Sequence, residues 1–134
     1  MSVLELIDVR MRAAAALAPT DDGDPEVFAD LVDAVEPPAI LLAWADPWLV
    51  PSTFGPALLD ASLDVLCVAA RLEPGAGVAV LEELVTYTIA RLRADVHSWP
   101  AVTSEAPQRL PIGGVTYLAA RLNYRVPVTT ESGG

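Results

Sequence analysis

The sequence has no lysine, one histidine and one cysteine, and these shortages narrow the chemistry that the chain can carry. With His97 as the only imidazole, a triad of nucleophile, base and acid has a single choice of base. With Cys67 as the only thiol, an internal disulfide is excluded, and its apolar strand pattern indicates a buried, unreactive group in a reducing compartment. One histidine and one cysteine also fall short of a zinc ligand set.

Long apolar runs are missing too, although 53% of the 134 residues are hydrophobic. No run approaches the roughly 18 residues that a membrane span needs. The large number of hydrophobic residues must therefore be buried in a core or at an interface. The N-terminal segment places acids inside its apolar stretch and arginines after it, the reverse of a signal peptide, and we expect synthesis in the cytoplasm. At this length we expect one domain over 1–129 and a flexible tail over 130–134.

Positive charge is scarce, because 18 acidic residues stand against 8 arginines and give a formal charge of −10. A charge of this sign repels phosphate backbones and argues against sequence-specific DNA binding. A negative charge of this size is suited to a protein along which DNA must move without being bound. It suits equally an acidic module that masks a basic partner.

Hydrophobic spacing of 3.6 residues predicts two helices. Ser2 and Glu5 form a capping box for a first helix over 3–17, and a second stripe predicts a helix over 76–96. The residues of the first helix expected to face the core are Leu4, Ile7, Met11, Ala14 or Ala15, and Ala18.

Alternating and short apolar runs predict strands between and after the helices, over 27–32, 39–45, 58–71, 101–112 and 115–128. Residues 46–56 contain three prolines and are expected to form a structured loop. Gly113 and Gly114 predict a tight hairpin turn. The order α-β-β-β-α-β-β predicts an α+β fold, in which two helices pack on one face of a mainly antiparallel sheet.

The residues that could carry catalysis lack partners. His97 lies near Asp95 and Ser98 at the end of the second helix, where the helix dipole explains a histidine, and no G-x-S-x-G elbow accompanies it. Asp60 and Asp64 are about 13 Å apart along one strand, at roughly 3.3 Å per residue, which is too far for a close carboxylate pair. We therefore expect no catalytic residue.

Two further patterns imitate ligand sites. The acidic run at 21–24 lacks the alternate ligand spacing of a calcium loop, and a solvated acidic loop explains it. Gly113 and Gly114 lack the spacing of a phosphate cradle and lead into a strand and not a helix. We expect neither a metal nor a cofactor.

The last strand instead suggests an assembly surface. Its alternation places Tyr117, Arg121, Asn123 and Arg125 on one face and apolar residues on the other. Arginine and tyrosine are enriched at protein interfaces, so we expect these four residues to contact another subunit. An ordinary solvated sheet face is the alternative.

Aromatic residues and acids add two weaker signals. Trp48 and Phe54, in the proline-containing loop, are expected to join the subunit contact, with covering of their own core as the alternative. The acidic first half of strand 58–71 is expected to be a solvated edge.

Three stretches carry a resemblance to a known family: DAVEPPAILLAWADPWLVPSTFGPALLDASLDVLCVAA, then LEELVTYTIARL, then LPIGGVTYLAARLNYRVPV. A helix followed by PPA and a strand, a polar-apolar strand, a second helix and a closing GG-x-x-Y-L-A strand together resemble small tail proteins of long-tailed phages infecting actinobacteria. The pattern is most similar to the tail terminators of the lambda type, and it extends over about residues 3–129.

The resemblance implies a structural virion protein. Its implied role is an α+β subunit of a homohexameric ring that caps the finished tail tube and joins it to the head connector. The implied partners are other copies of the chain, the major tail tube protein and the head–tail connector or stopper protein, with DNA passing through the lumen without specific binding. A neighbouring neck, head–tail connector or tail-completion protein of similar size, which could share the same pattern, is an alternative. A monomeric inhibitor or immunity-type module is the alternative from another class.

Overall fold

Two α-helices and a seven-stranded sheet make up the described part of the chain. The computed structural model describes residues 4–20, 24–29, 37–51, 59–71, 77–95, 99 and 102–129. In chain order the elements are β1 (Leu4–Glu5), a 3-10 turn (Leu6–Asp8), α1 (Val9–Leu17), β2 (Glu26–Phe28), β3 (Ala39–Pro51), β4 (Leu59–Arg71), α2 (Gly77–Ala94), β5 (Val102–Ser104), β6 (Gln108–Ile112) and β7 (Val115–Thr129).

The sheet is organised around β7. One edge of β7 pairs antiparallel with β4, and the other edge pairs in succession with β6, β5 and β1. Strand β3 follows β4, and β2 follows β3, so the order is β1-β7-β4-β3-β2. The β1/β7 and β2/β3 pairs are parallel, and the other described pairs are antiparallel. The predicted α+β fold and element order are confirmed.

The main core lies between one face of this sheet and the two helices. Alternate side chains of β4 and β7 point into it, because successive residues of a strand face opposite sides. Cys67 belongs to this core, and its sulfur lies 3.4 Å from the hydroxyl of Thr88 on α2. The fully buried side chains of this core are Val9, Ala13, Leu17, Ile40, Leu42, Ala61, Leu63, Val65, Cys67, Leu122 and Val128.

The first helix is shorter than predicted and turned the other way. Leu4 and Glu5 form β1, which pairs with the end of β7, so the α-helix begins only at Val9. Its buried side chains are Val9, Ala13 and Leu17. The prediction that Ile7 and Met11 face the core is wrong, because the alanine-rich helix offers apolar residues on two sides and packing selects the other one.

The second helix agrees with its prediction in extent and buried side. Leu81, Leu84, Thr88 and Leu92 are buried against the sheet, at the spacing of a helical stripe. Thr88 is satisfied within the helix, since its hydroxyl donates to the carbonyl of Leu84 at 2.9 Å.

Strand β3 is longer than predicted, and the loop expected at 46–56 is wrong over its first part. The chain continues as strand through Pro51, with a register shift against β4 between Trp44 and Leu49. The extra residues in such a bulge bend the strand while its pairing resumes beyond it. Trp48 lies within this bulge, with its ring centroid 5.4 Å from that of Trp44.

The outer edge of β3 is paired with β2 only along Ala39–Leu41 among the described strands. Beyond that pairing the edge contains Pro47 and Pro51. Proline has no backbone N–H, so both positions lack a donor for a further strand.

The remaining predicted strands are confirmed with altered bounds. Strand β2 covers 26–28 of the predicted 27–32, and residues 30–32 lie outside the described part. The predicted strand over 101–112 is divided into β5 and β6. Gly113 and Gly114 have φ of 58° and 84°, the positive values that the hairpin turn requires.

A second, smaller core lies on the helix-free face of the sheet, at the end near the β6–β7 turn. Its buried members are Ala39, Leu41, Leu66, Val68, Tyr117 and Ala119. The helix-free face is therefore apolar at this end.

Leu122 tests the main core. It is fully buried at the centre of β7, and Leu122→Ala should lower the free energy of unfolding by about 2–5 kcal/mol through lost burial and the cavity left behind. Ile7→Ala is the control, because its side chain is 77% exposed and its loss should cost less than about 0.5 kcal/mol. Urea unfolding followed by circular dichroism measures both, and equal losses would contradict the assignment of the core.

Candidate functional site

A polar cleft of about 480 Å³ lies on the helix-free face, beyond the smaller core. It crosses four adjacent strands, β3, β4, β7 and β5, so residues distant in sequence meet there. Its lining residues are Ala45, Asp46, Pro47, Ser62, Asp64, Thr103, Ser104, Glu105, Arg121, Asn123 and Arg125. Three of the residues predicted for a subunit contact, Arg121, Asn123 and Arg125, are thus brought together.

A hydrogen-bonded network forms the floor of the cleft. Asn123 lies directly opposite Asp64 in the β4–β7 register. Its side-chain amide donates to the hydroxyl oxygen of Ser62 at 2.8 Å and to Oδ1 of Asp64 at 3.0 Å. Because Ser62 and Asp64 are only 7% and 9% exposed, these bonds satisfy polar groups that would otherwise be costly to bury.

Arg121 is held by two carboxylates. Its Nε lies 3.6 Å from Oδ2 of Asp64, and its Nη1 lies 4.0 Å from Oε2 of Glu105. The Nε is buried and makes no hydrogen bond, because 3.6 Å is within ion-pair range but too long for one. The guanidinium of Arg121 is therefore engaged within its own chain.

Arg125 and Asp46 differ from Arg121, since both are exposed and neither forms an ion pair with a described residue. They lie on different strands of the same cleft. Pro47 and Trp48 follow Asp46, and Trp48 is 45% exposed. Asp46, Pro47 and Arg125 line this side of the cleft, and Trp48 adjoins it with its ring against that of Trp44. The four residues together are called the open rim.

The acidic half of β4 is not the solvated edge that the sequence predicts. Strand β4 lies between β3 and β7, and both neighbours pair along it. Ser62 and Asp64 are buried because side chains from β7 cover them. Polar residues alternating along a strand therefore mark the floor of a cleft here.

Other predicted contact residues have different outcomes. Tyr117 is only 2% exposed and packs in the smaller core beside Leu110 and Ile112 of β6, so its assignment to a surface contact is wrong. The alternation places it on the correct face, but β6 and the turn surround it. Trp48 is exposed, whereas Phe54 and His97 lie outside the described residues.

The buried ionisable groups of the main core have raised pKa values. Burial raises the pKa of the Cys67 thiol from 9.0 to about 11, opposed weakly by its hydrogen bond with Thr88. Burial also raises the pKa of Tyr124 to about 12. A nucleophilic cysteine needs a lowered pKa, so Cys67 has the character of a core residue.

Asp24 belongs to the predicted acidic loop, of which residues 21–23 lie outside the described part. Its carboxylate accepts hydrogen bonds from the backbone N–H of Thr20 at 2.9 Å and from Arg91 at 3.3 Å. Across the described ranges, no three metal-ligating side chains cluster. Within the same ranges, no helix is both long and apolar enough to cross a membrane.

Sequence reasoning misses the acidic members of the cleft. Asp46 falls in a predicted loop, and Glu105 lies between β5 and β6, in the segment 101–112 that the sequence predicts to contain a strand. Asp64 is recognised as polar, and pairing its strand with the polar row of β7 would have placed it opposite Asn123. The alternation along each strand identifies these polar residues, but it does not predict which strands are neighbours in the sheet.

The two arginines of the cleft should respond differently to charge reversal. Arg121→Glu places a third carboxylate beside Asp64 and Glu105, and should lower the free energy of unfolding by about 1–2 kcal/mol, a figure limited by the 40% exposure of the Arg121 side chain. Arg125→Glu should change it by less than about 0.5 kcal/mol. Urea unfolding measures both changes in the free energy of unfolding. Equal changes for the two variants would show that Arg121 is not held by the network.

The buried thiol predicts loss of stability at alkaline pH. Because the folded pKa of Cys67 is above its unfolded value, its contribution is complete below about pH 9 and is lost as the pH rises toward 11. Cys67→Ala should therefore flatten part of the decline in unfolding free energy between pH 8 and pH 10.5. The part due to the burial of Tyr124 should remain, and an unchanged slope would contradict the raised thiol pKa.

Comparison with known sequences leaves the family open: no protein-family model matches the chain, and no curated protein is significantly similar to it.

Proposed function

We propose that the chain is a structural subunit of the head–tail junction of a long-tailed phage, a tail terminator that forms a hexameric ring. The observation that carries the proposal is the polar cleft on the helix-free sheet face. Arg125, which forms no ion pair with a described residue, lines this cleft, and the exposed Trp48 follows Pro47 of its lining. Such a surface has the chemistry of a protein contact. The ring would cap the tail tube and join it to the head connector.

The type of fold is consistent with the proposal. The resemblance to tail terminators implies a small α+β subunit, and the chain has an α+β fold. With the helices on one side, the other side of the sheet is available over the cleft. A subunit that contacts neighbours on several sides needs such uncovered surface.

The open rim supplies the chemistry of a specific contact. Trp48 offers a large apolar ring that is 45% exposed, and Arg125 offers a planar guanidinium with several donors. Tryptophan and arginine are among the residues that contribute most to binding when an interface buries them. We assign no catalytic residue, metal or cofactor to the chain.

The formal charge of −10 fits the passage of DNA through the ring. An acidic lumen repels the phosphate backbone, so DNA can move through it without being retained. The partners of the ring in this proposal are the major tail tube protein on one side and the connector or stopper protein on the other.

Arg125 provides the first test of assembly. Arg125→Glu should leave the chain folded and should reduce ring formation on tail tubes at least about tenfold, because it removes a cation from the contact surface. Arg109→Glu is the matched control, since Arg109 is exposed on β6 outside the cleft and its reversal changes the net charge equally. Light scattering and electron microscopy measure ring formation, and normal rings from Arg125→Glu would contradict the assigned contact.

The role at the tail end is tested in the phage itself. Virions lacking the protein should have tails of irregular length that fail to join heads. Tails of normal, uniform length attached to heads would refute the proposal. The position of the gene just before the major tail protein gene would favour a terminator over a neighbouring neck protein.

The acidic charge also favours a second class, a monomeric module that masks a basic partner. The two classes differ in what the chain captures. A terminator should retain tail tube protein from an infected-cell extract, whereas an inhibitor should retain one basic host enzyme and no tail tube protein.

A further inference from the structure

The outward side of α1, together with the 3-10 turn before it, is apolar and exposed. Ile7, in the turn, and Met11, in α1, are 77% and 68% exposed, more than the other large apolar side chains of the described residues. Ala15 is exposed one turn beyond Met11, on the same side of α1 because residues four apart in a helix share a side. The three residues are called here the outer stripe.

The opposite side of the same helix is fully buried. Val9, Ala13 and Leu17 have no exposed area and pack into the main core. A helix that is apolar on both sides is typical of one covered on both sides, and a surface helix normally has a polar outer face. The outer stripe therefore has the composition of a contact surface.

The outer stripe and the cleft lie on opposite sides of the molecule. Helix α1 packs on one face of the sheet, and the cleft opens on the other. Two different surfaces on opposite sides suit a head-to-tail contact, in which one surface of each copy binds the other surface of the next. Repeated contacts of this kind close into a ring or continue as a filament.

The two surfaces have matching chemistry. Asp8 and Arg12 flank the outer stripe, are exposed, and form no ion pair with a described residue. The open rim likewise combines apolar Pro47 and Trp48 with one acid and one arginine, Asp46 and Arg125. Each surface thus offers an apolar centre, one cation and one anion to the other.

We propose that the outer stripe of α1 docks against the open rim of a neighbouring copy. Ile7 and Met11 then cover Trp48 of the neighbour, Asp8 faces its Arg125, and Arg12 faces its Asp46. This inference rests on the proposed ring, and it names the two surfaces that form each contact.

Cross-linking between the two surfaces tests the pairing. The variant Ala15→Cys with Ala45→Cys places one thiol in the outer stripe and one beside the open rim, and it keeps the large apolar and the charged residues of the contact. Cys67 stays out of the reaction, because it is buried and its pKa is about 11. With a short bismaleimide, on protein alone and on tail tubes, the double variant should give a covalent ladder ending at six copies.

The single variants are the controls, since a head-to-tail contact places one thiol of each kind together. Ala15→Cys alone and Ala45→Cys alone should give no covalent dimer. A dimer from Ala15→Cys alone would overturn the pairing in favour of a symmetric contact between two α1 helices.

A charge exchange tests the contact without new thiols. Asp8→Arg and Arg125→Asp should each weaken association about tenfold, and the two together should restore it, because the pair is reversed but kept. Asp8 makes no capping hydrogen bond, so its replacement removes no hydrogen bond from the helix start. Circular dichroism confirms folding, and failure of the double variant to recover would count against the pairing.

The outcomes separate this inference from the proposed function. Rings of six copies without a ladder would overturn the pairing and leave the function in place. A ladder that grows past six would uphold the pairing and contradict a closed hexamer. A chain that stays monomeric alone and on tail tubes would contradict both.

Discussion

The fold depends on strand β7, which is hydrogen-bonded to four other described strands. Strand β7 pairs with β4 over almost its whole length, while β6, β5 and β1 share its other edge. Strand β7 is the last described element along the chain. Strand β1, near the start of the chain, therefore joins the sheet only when β7 is in place. Its fifteen residues form the axis of the sheet.

The same strand separates two environments. Its apolar row, which includes Leu122 and Tyr124, completes the core under the helices, and its other row passes from buried Tyr117 to exposed Arg125. Because a one-residue slip would exchange the two rows, burial of the apolar row fixes the register of the polar one. The core thereby positions Asn123 opposite Asp64 and assembles the floor of the cleft.

The sequence predicts correctly those elements whose apolar residues define a single buried side. Helix α2 and strands β4 and β7 follow from their periodicity, because each has one apolar side long enough to identify. Helix α1 is mispredicted because alanines give it two equivalent apolar sides, and only tertiary packing selects between Val9 and Met11. The cleft is predicted only in part. The polar row of β7 identifies Arg121 and Arg125, whereas Asp46 lies in a bulge of β3 whose register depends on pairing with β4.

The prolines on the outer edge of β3 limit how another chain can pair with this sheet. Pro47 and Pro51 cannot donate a backbone hydrogen bond, so at these positions the edge offers no donor to a strand added from another chain. Backbone pairing is nearly the same for every sequence and discriminates little between partners. Any contact made at this edge would have to use side chains, whose specificity can change through a few surface substitutions.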